Sequence, residues 1–341
     1  MQNQSFIVFS IFHLYISLIK AYELKKNDSG CETFLVLTDH TPGGEELFSK
    51  VKKLNVFDGY FFVHDSRARE EYPRQPAIKR FIFRKKLLET LFCPDISNDL
   101  VQALQNSEVN LFLDSTQFVQ WMYYNFPNNF YRLYEDGERL YMVPKDGLGH
   151  WIKHNLLRYP KKHGRDKQIK EIMAQRVEEL PLSIKHKAKI FSLHQITQLL
   201  SSDEKNEIID LFIGDIAFDE ITDEKKMLLI TQPLSEDGYI EEGYKIDLYK
   251  RIISKFSKGY KVFIKPHPRE TTDYNKLTNL DVLPRSFPLE ILNYTGNLRF
   301  ERGITLFSSA IKNAHFVDEK IFLGIDWDKE VADNFAFKTQ A

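Results

Sequence analysis

"MLLITQPLSEDGYIEEGYKIDLYKRIISKFSKGYKVFIKPHP", Met227 to Pro268, decides how the chain is read. "MLLITQ" is a short apolar run with the composition of a buried strand. "EEGYKIDLYKRIISKF" carries apolar residues at helical spacing. "KVFIK" is again β-prone and apolar. Strand, helix and strand in this order form a βαβ unit, whose strands run parallel. The unit ends on "KPHP", Lys265 to Pro268. Proline fixes φ, gives no N–H and pushes its predecessor towards extended backbone. His267 therefore stands on a stiff segment just past the carboxyl end of a strand. Ligands of open α/β sheets bind there.

The same rhythm continues outward in both directions. After "KVFIK" come a strand at "LDVLP", a short helix at "FPLEILNY", a strand entering a helix at "RGITLFSSAIKN" and a closing "KIFLGI". In the first half, "TFLVLTD", "GYFFVHD", "VNLFLD" and "NFYRLYEDG" alternate with helical stretches near 45–53, 95–105 and 116–124. The opening "SFIVFSIFHLYISLIKAYELKK" is apolar, but His13 and several serines interrupt it. No basic segment precedes it and no small-residue cleavage site follows. We read it as a strand over Phe6–Phe9 running into a helix over Leu14–Lys25, not as a membrane span. Between about 145 and 185 the rhythm breaks into a polar, basic, aromatic stretch with no obvious buried strand. The expectation is an α/β chain of two Rossmann-like domains with mostly parallel sheets facing across a cleft. Residues 1–220 would form the first, with a basic insertion at about 148–185, and residues 221–341 the second. The two-domain GT-B arrangement of glycosyltransferases and that of periplasmic binding proteins share this rhythm.

The 341 residues suffice for two domains, and 43% hydrophobic with 28% charged is a globular composition. A net charge of −1 gives no support to a nucleic-acid partner. Two cysteines make neither a disulfide framework nor a zinc cluster. The sequence has no GxGxxG, no Walker loop and no HExxH.

Four local features carry chemistry. In "KPHP" an imidazole near neutral pKa can pass a proton to a leaving group, and Lys265, two residues earlier, lies on the same side of an extended strand. The bland alternative is a histidine capping a loop. In "LYEDG", Glu135 and Asp136 follow a strand and Gly137 turns the chain, so a general base can sit there. An ordinary Asp-Gly turn reads the same way, and similar tripeptides recur at 57–59, 145–147 and 236–238. In "LFSSA", Ser308 and Ser309 stand where a strand enters a helix, which suits an anion or a plain N-cap. In "SFPLEIL", Glu290 could take both hydroxyls of a ribose or could be a solvated helix residue. The basic stretch Lys153–Lys170 suits an anionic acceptor, a membrane surface or a solvated connection.

The order of these motifs, an acidic pair with glycine, then "KPHP", "FPLE" and "SS", resembles the bacterial sialyltransferases, and most nearly glycosyltransferase family 52. "SIFHLYISLIKAYEL" and "LLITQPLSEDGY" are also similar to that family. The resemblance covers most of the chain. It implies the GT-B fold and Asp136 as catalytic base, with Glu135 and Gly137 supporting it. Asp136 is preferred over Asp237 because the family's motif lies in the first domain. It implies His267 as the group that protonates or hydrogen-bonds the leaving phosphate, and Pro268 against the nucleotide. Ser308 and Ser309 would hold the phosphate, Lys265 the cytidine and Glu290 the ribose.

The resemblance further implies CMP-sialic acid as donor, with inversion and neither metal nor other cofactor. The acceptor would be a terminal galactose-type sugar of a bacterial surface glycan, lipooligosaccharide or capsule. It requires Asp136 and His267 to meet across the cleft. Localisation is read as cytoplasmic, with a peripheral place at the inner face of the bacterial membrane left open. A homodimer and a peripheral membrane contact stay open. A related glycosyltransferase with another nucleotide sugar and a non-catalytic two-domain binding protein are the alternatives.

Overall fold

The computed structural model describes residues 2–27, 30–41, 43–143, 154, 159–214, 224–278, 280–295 and 298–340. The chain divides into two compact units, Met1–Glu204 and Lys205–Ala341. The junction expected at 220/221 lies outside the described residues, as does most of 144–158.

The first unit is built on seven parallel strands in the order β3-β2-β1-β4-β5-β6-β7. β1 is Asn3–Val8, β2 Thr33–Thr38, β3 Gly59–Val63, β4 Ser107–Leu111, β5 Tyr131–Tyr134, β6 Ile169–Ala174 and β7 Ala188–Ile190. β1 is an interior strand, with Asn3 opposite Ser107 on one side and Gln4 opposite Thr33 on the other. A parallel strand covered on both faces reads as a near-continuous apolar run. That burial explains "SFIVF". Helix α1, Ile11–Asn27, follows it and buries Ile11, Leu14, Tyr15, Ile16, Leu18, Ile19 and Tyr22. Among the described residues no helix is long and apolar enough to cross a membrane. The other helices of the crossovers include α2 (Gly44–Leu54), α3 (Asp65–Arg74), α4 (Ala77–Ile82), α5 (Arg84–Phe92), α6 (Asn98–Gln105) and α7 (Gln117–Asn125). Ser97 and Thr116 cap α6 and α7, accepting from the amides of Leu100 and Val119.

One expectation fails here. β6 lies inside the stretch read as strandless. Its "IKEIMA" looks polar because its charges pair across the sheet. Glu171 on β6 meets Arg132 of β5 at 2.9 Å and Lys189 of β7 at 2.8 Å, and Arg132 also meets Glu108 of β4 at 3.0 Å. This cross-strand ladder satisfies charges that alone would argue against a half-buried strand.

The second unit has five parallel strands in the order β10-β9-β8-β11-β12. They are β8 Lys226–Ile230, β9 Lys261–Lys265, β10 Leu280–Val282, β11 Phe300–Thr305 and β12 Val317–Phe322. Helix Glu242–Phe256 crosses from β8 to β9 and buries Leu248, Tyr249 and Ile252. In each unit the chain lays down three strands outward and then returns to the far side of the first. The switch points lie between β1 and β4 and between β8 and β11. At such a point the two crossovers diverge and leave a crevice beyond the strand ends.

Candidate active site

At the first switch point three rings stack, one from the helix that follows β1 and one each from the ends of β4 and β5. His13, at the start of α1, lies on Phe112 with ring centroids 4.6 Å apart and 9° between planes. Phe112 in turn lies on Tyr134 at 5.3 Å. His13 is 1% exposed. Its Nδ1 accepts the Phe9 amide at 3.2 Å, so in the neutral ring the proton sits on Nε2. Nε2 points at Asp136 Oδ2, 3.4 Å away.

The acidic pair after β5 is divided in its surroundings. Glu135 is tied back: its carboxylate accepts from the Gln175 amide at 2.6 Å and from the Tyr141 hydroxyl at 2.5 Å. Its own amide donates to Met173 O at 2.9 Å and extends the pairing of β5 with β6. Asp136 keeps a side chain 38% exposed. Gly137 has φ of 75°, a left-handed conformation open to glycine at little cost. "EDG" thus anchors one carboxylate, presents the next and turns the chain away.

Close by, Asp114 after β4 is buried and accepts from the amides of His163 and Gly164 at 2.9 and 2.7 Å. Both of those residues have positive φ. A Cβ on Gly164 would approach Ile172 Cδ1 to 2.5 Å. Asp114 therefore pins the end of the basic stretch over β5 and β6.

In the second unit, His267 follows β9 as expected. The Arg269 amide donates to His267 Nδ1 at 3.1 Å, which leaves the Nε2–H of the neutral ring as a donor. Burial, aided by the Arg269 charge, lowers the His267 pKa from 6.5 to about 4. The imidazole is neutral near pH 7, with a hydrogen-bond donor to offer and no standing charge. Its amide donates to Glu270 Oε1 at 2.6 Å.

Lys265 is 3% exposed, and its Nζ donates to Pro266 O at 2.8 Å and lies 4.7 Å from the Phe287 ring centroid. Burial lowers its pKa to about 7. Glu290 is 7% exposed, in a single 3-10 segment Leu289–Tyr294, and burial raises its pKa to about 7. The solvated reading of Glu290 is excluded. Pro268 is half-buried beside His267. Ser308 and Ser309 follow β11, with the Ser308 amide donating to Thr305 Oγ1 at 3.1 Å. The helix expected after them is a five-residue 3-10 turn, Ser309–Asn313, too short for a substantial dipole.

Sequence reasoning passed over the group that fixes this loop. Glu270 is 2% exposed and accepts from Thr231 Oγ1 at 2.7 Å and Tyr274 Oη at 2.5 Å, besides His267 N. Lys245, fully buried on helix Glu242–Phe256, bridges Glu270 and Glu236 at 2.8 Å each. Burial works against the Glu236 charge, yet Lys245 and the Thr271 amide hold its pKa at about 2. Asp237 meets Arg269 through two contacts, 2.7 and 3.1 Å. The second acidic-glycine copy is therefore bound to the "KPHP" loop, and its Asp237 faces a guanidinium. His13 was also missed. Its signal was a lone histidine inside an apolar run, a buried polar group in need of a partner. Among the described residues no three His, Cys, Asp or Glu side chains group as metal ligands.

The family model described as Glycosyltransferase family 52 matches residues 66–323. The chain belongs to that family. An uncharacterized protein of Haemophilus influenzae is 37% identical to this family 52 chain over 179 residues, 52% of this chain and 57% of that protein. The alignment thus spans little more than half of the relative's length. Among solved structures, a Photobacterium sp. JT-ISH-224 2,6-sialyltransferase, in a ternary complex with CMP and lactose, superposes with a TM-score of 0.58. It is 11% identical, over 94% of this chain and 71% of that one. A Photobacterium damsela sialyltransferase superposes at 0.53 with 13% identity, over 94% and 74%. The UDP-GlcNAc 2-epimerase of Neisseria meningitidis reaches 0.50 at 15% identity, over 98% and 85%. At these identities the likeness is one of fold, and the fold is GT-B: two Rossmann-like units with parallel sheets.

Proposed function

We propose that this family 52 protein is an inverting, metal-independent sialyltransferase. It would move sialic acid from CMP-sialic acid to a terminal galactose-type sugar of a bacterial surface glycan, lipooligosaccharide or capsule. The observation that carries the reading is the division of the acidic pair: Glu135 is tied to β6, while Asp136 is presented beside the Nε2–H of a buried histidine. That is the arrangement a general base needs, since its reactive oxygen must be accessible and its orientation fixed. Asp237, by contrast, has both carboxylate oxygens engaged by the Arg269 guanidinium, at 2.7 and 3.1 Å.

In the proposed step Asp136 takes the proton of the acceptor hydroxyl. The acceptor oxygen bonds to the anomeric carbon of the sialyl group. The bond from that carbon to the phosphate oxygen breaks, and CMP leaves with the electron pair. The His267 Nε2–H hydrogen-bonds the phosphate, Pro268 packs against the nucleotide and the hydroxyls of Ser308 and Ser309 add donors. Lys265 and Glu290 take the cytosine and ribose. The lone phosphate of CMP carries little charge to neutralise, which suits a site of one neutral imidazole and two serines.

The test is CMP release from CMP-sialic acid, with and without lactose, in EDTA, for wild type, Asp136→Ala, Asp237→Ala and His267→Ala. Acceptor-dependent release that survives EDTA, is lost in Asp136→Ala and persists in Asp237→Ala is expected. Loss in Asp237→Ala alone would move the base to the second unit. No release together with no CMP binding would overturn the reading in favour of another nucleotide sugar.

A further inference from the structure

We propose that His40, backed by Asp65, binds the acceptor sugar next to the one that reacts, its Nε2 accepting a hydrogen bond from a hydroxyl of that sugar. The proposal rests on the function argued above, since it takes the acceptor to lie beside Asp136.

The pair stands at the carboxyl ends of β2 and β3. β2 runs out into "LTDH", Leu37–His40, and β3 into "FVHD", Phe62–Asp65. Asp39 joins the two strand ends by accepting from the Ser66 amide at 2.9 Å and from the Ser66 hydroxyl. Asp65 is fully buried, yet neither of its oxygens accepts a hydrogen bond among the described residues. It lies 3.8 Å from His40 Nδ1 and 3.4 Å from Arg69 Nε. The hydroxyl of Thr41, 2% exposed, is likewise without a hydrogen bond among the described residues. A carboxylate so placed destabilises the folded chain by itself, and the donors within its reach are Arg69 and the His40 ring.

His40 is the outward half of the pair. Its Nδ1 is buried against Asp65 while Nε2 is not, and the side chain is 33% exposed. When the 3.8 Å gap closes, the uncharged ring carries its proton on Nδ1 and presents the Nε2 lone pair outward. Contacts of this kind are often long without substrate and tighten when it binds. The neighbouring strand end has the closed form of the same device: His64 Nδ1 meets Asp95 Oδ1 at 2.6 Å.

The Phe9 ring sets the distance from His40 to the proposed base. His40 meets Phe9 edge-on with centroids 6.1 Å apart, and His13 meets it edge-on at 6.5 Å. His13 Nε2 in turn points at Asp136. His40 therefore stands one aromatic ring along the strand ends from the Asp136 corner, where a second sugar ring can lie. Its chemistry selects a hydroxyl. An anion at Nε2 would meet the Asp65 carboxylate behind the ring, whereas a hydroxyl brings a donor and no charge. A site built to take a hydroxyl discriminates against an acceptor that lacks it.

The experiment compares transfer to lactose with transfer to methyl β-galactoside, which lacks the second sugar. Wild type, His40→Ala, His40→Gln, Asp65→Asn and the double variant of His40→Ala with Asp65→Asn are measured, with circular dichroism to check each fold. Long-range 1H–15N spectra of the imidazoles of the full chain, with and without lactose, give a readout independent of turnover, and the His40 signal is assigned by its loss in His40→Ala. His40→Ala is expected to raise KM for lactose about three- to tenfold at unchanged kcat, with KM for CMP-sialic acid and for methyl β-galactoside unchanged. His40→Gln, whose amide can still accept, should recover part of the loss. Asp65→Asn should raise KM for lactose in the presence of His40 and add nothing in the double variant, whereas a purely structural Asp65 would add its effect to that of His40→Ala. Lactose should shift the His40 signal. An unchanged KM for lactose in His40→Ala, equal rises for both acceptors or a His40 signal indifferent to lactose would overturn this proposal and leave the sialyltransferase reading standing. A His40 signal that responds to lactose in a wild type that transfers nothing would overturn that reading and keep the glycan contact. Neither transfer nor response would overturn both.

Discussion

Glu135 and Asp136 are neighbours with opposite surroundings, and substitution should separate them. Asp136→Asn removes the proposed base and is expected to lower kcat by about 10²–10⁴ with little change in stability. Glu135→Gln weakens contacts to Gln175 and Tyr141 and is expected to cost about 1–2 kcal/mol in urea unfolding, with a smaller effect on kcat. His13 offers a finer test. His13→Phe keeps a ring on Phe112 but removes the donor, and kcat should fall by about tenfold or more at unchanged KM for the acceptor. His13→Gln can return an N–H near the Nε2 position and should recover part of that loss. A fall in both variants, with matching loss of thermal stability, would reduce His13 to packing. His267 carries a pH signature. Its pKa is about 4 folded against 6.5 unfolded, so its contribution is complete above pH 6.5 and is lost as pH falls towards 4. Between about pH 8 and pH 5, wild type should lose on the order of 1–2 kcal/mol relative to His267→Gln in denaturant titrations. His267 was legible in the sequence because its two prolines announce a stiff strand end. His13 was not, because its partners Phe112 and Asp136 lie about a hundred positions away.

Elements were legible where one covalent neighbourhood decides them. β8, β9 and the helix between them were evident from their own residues. β6 was hidden, because the charge of Glu171 makes sense only beside Arg132 and Lys189 on other strands. The three helices α3, α4 and α5 were hidden too, since a charge-rich stretch with an exposed apolar run has no clear helical stripe. Two loops in the second unit are joined by Lys245, and that junction gives a prediction at this scale. Lys245→Met leaves Glu236 and Glu270 without their cation. Breaking one side of a buried ion network costs about 3–5 kcal/mol. Urea unfolding should show a loss of that order, and CMP affinity should fall with it because Glu270 holds the His267 amide. Unchanged CMP affinity in a folded Lys245→Met protein would separate the network from the site.

For the molecule as a whole, each unit has its own parallel sheet and its own hydrophobic core. The parallel strands and the two-unit plan followed from alternation of strand and helix patterns, a property of the whole sequence. The strand order did not, since return across a first strand leaves no mark in composition. If the nucleotide belongs to the second unit alone, CMP should slow amide hydrogen exchange around 231–238, 264–272 and 305–309. It should leave β1–β4 of the first unit unchanged. At a ligand concentration a hundred times Kd the protection corresponds to about 2.7 kcal/mol. Protection confined to β1–β4 would reverse the assignment of donor and acceptor units.

The pairing of β1 on both edges also bears on synthesis. Translation delivers its first partner, β2, within some thirty residues, but the other, β4, begins only at Ser107. At roughly 5–20 residues per second, a ribosome needs on the order of five to twenty seconds to supply it. For that interval an apolar strand has one edge unpaired, and nascent chains of this protein should be most dependent on chaperones before β4 emerges.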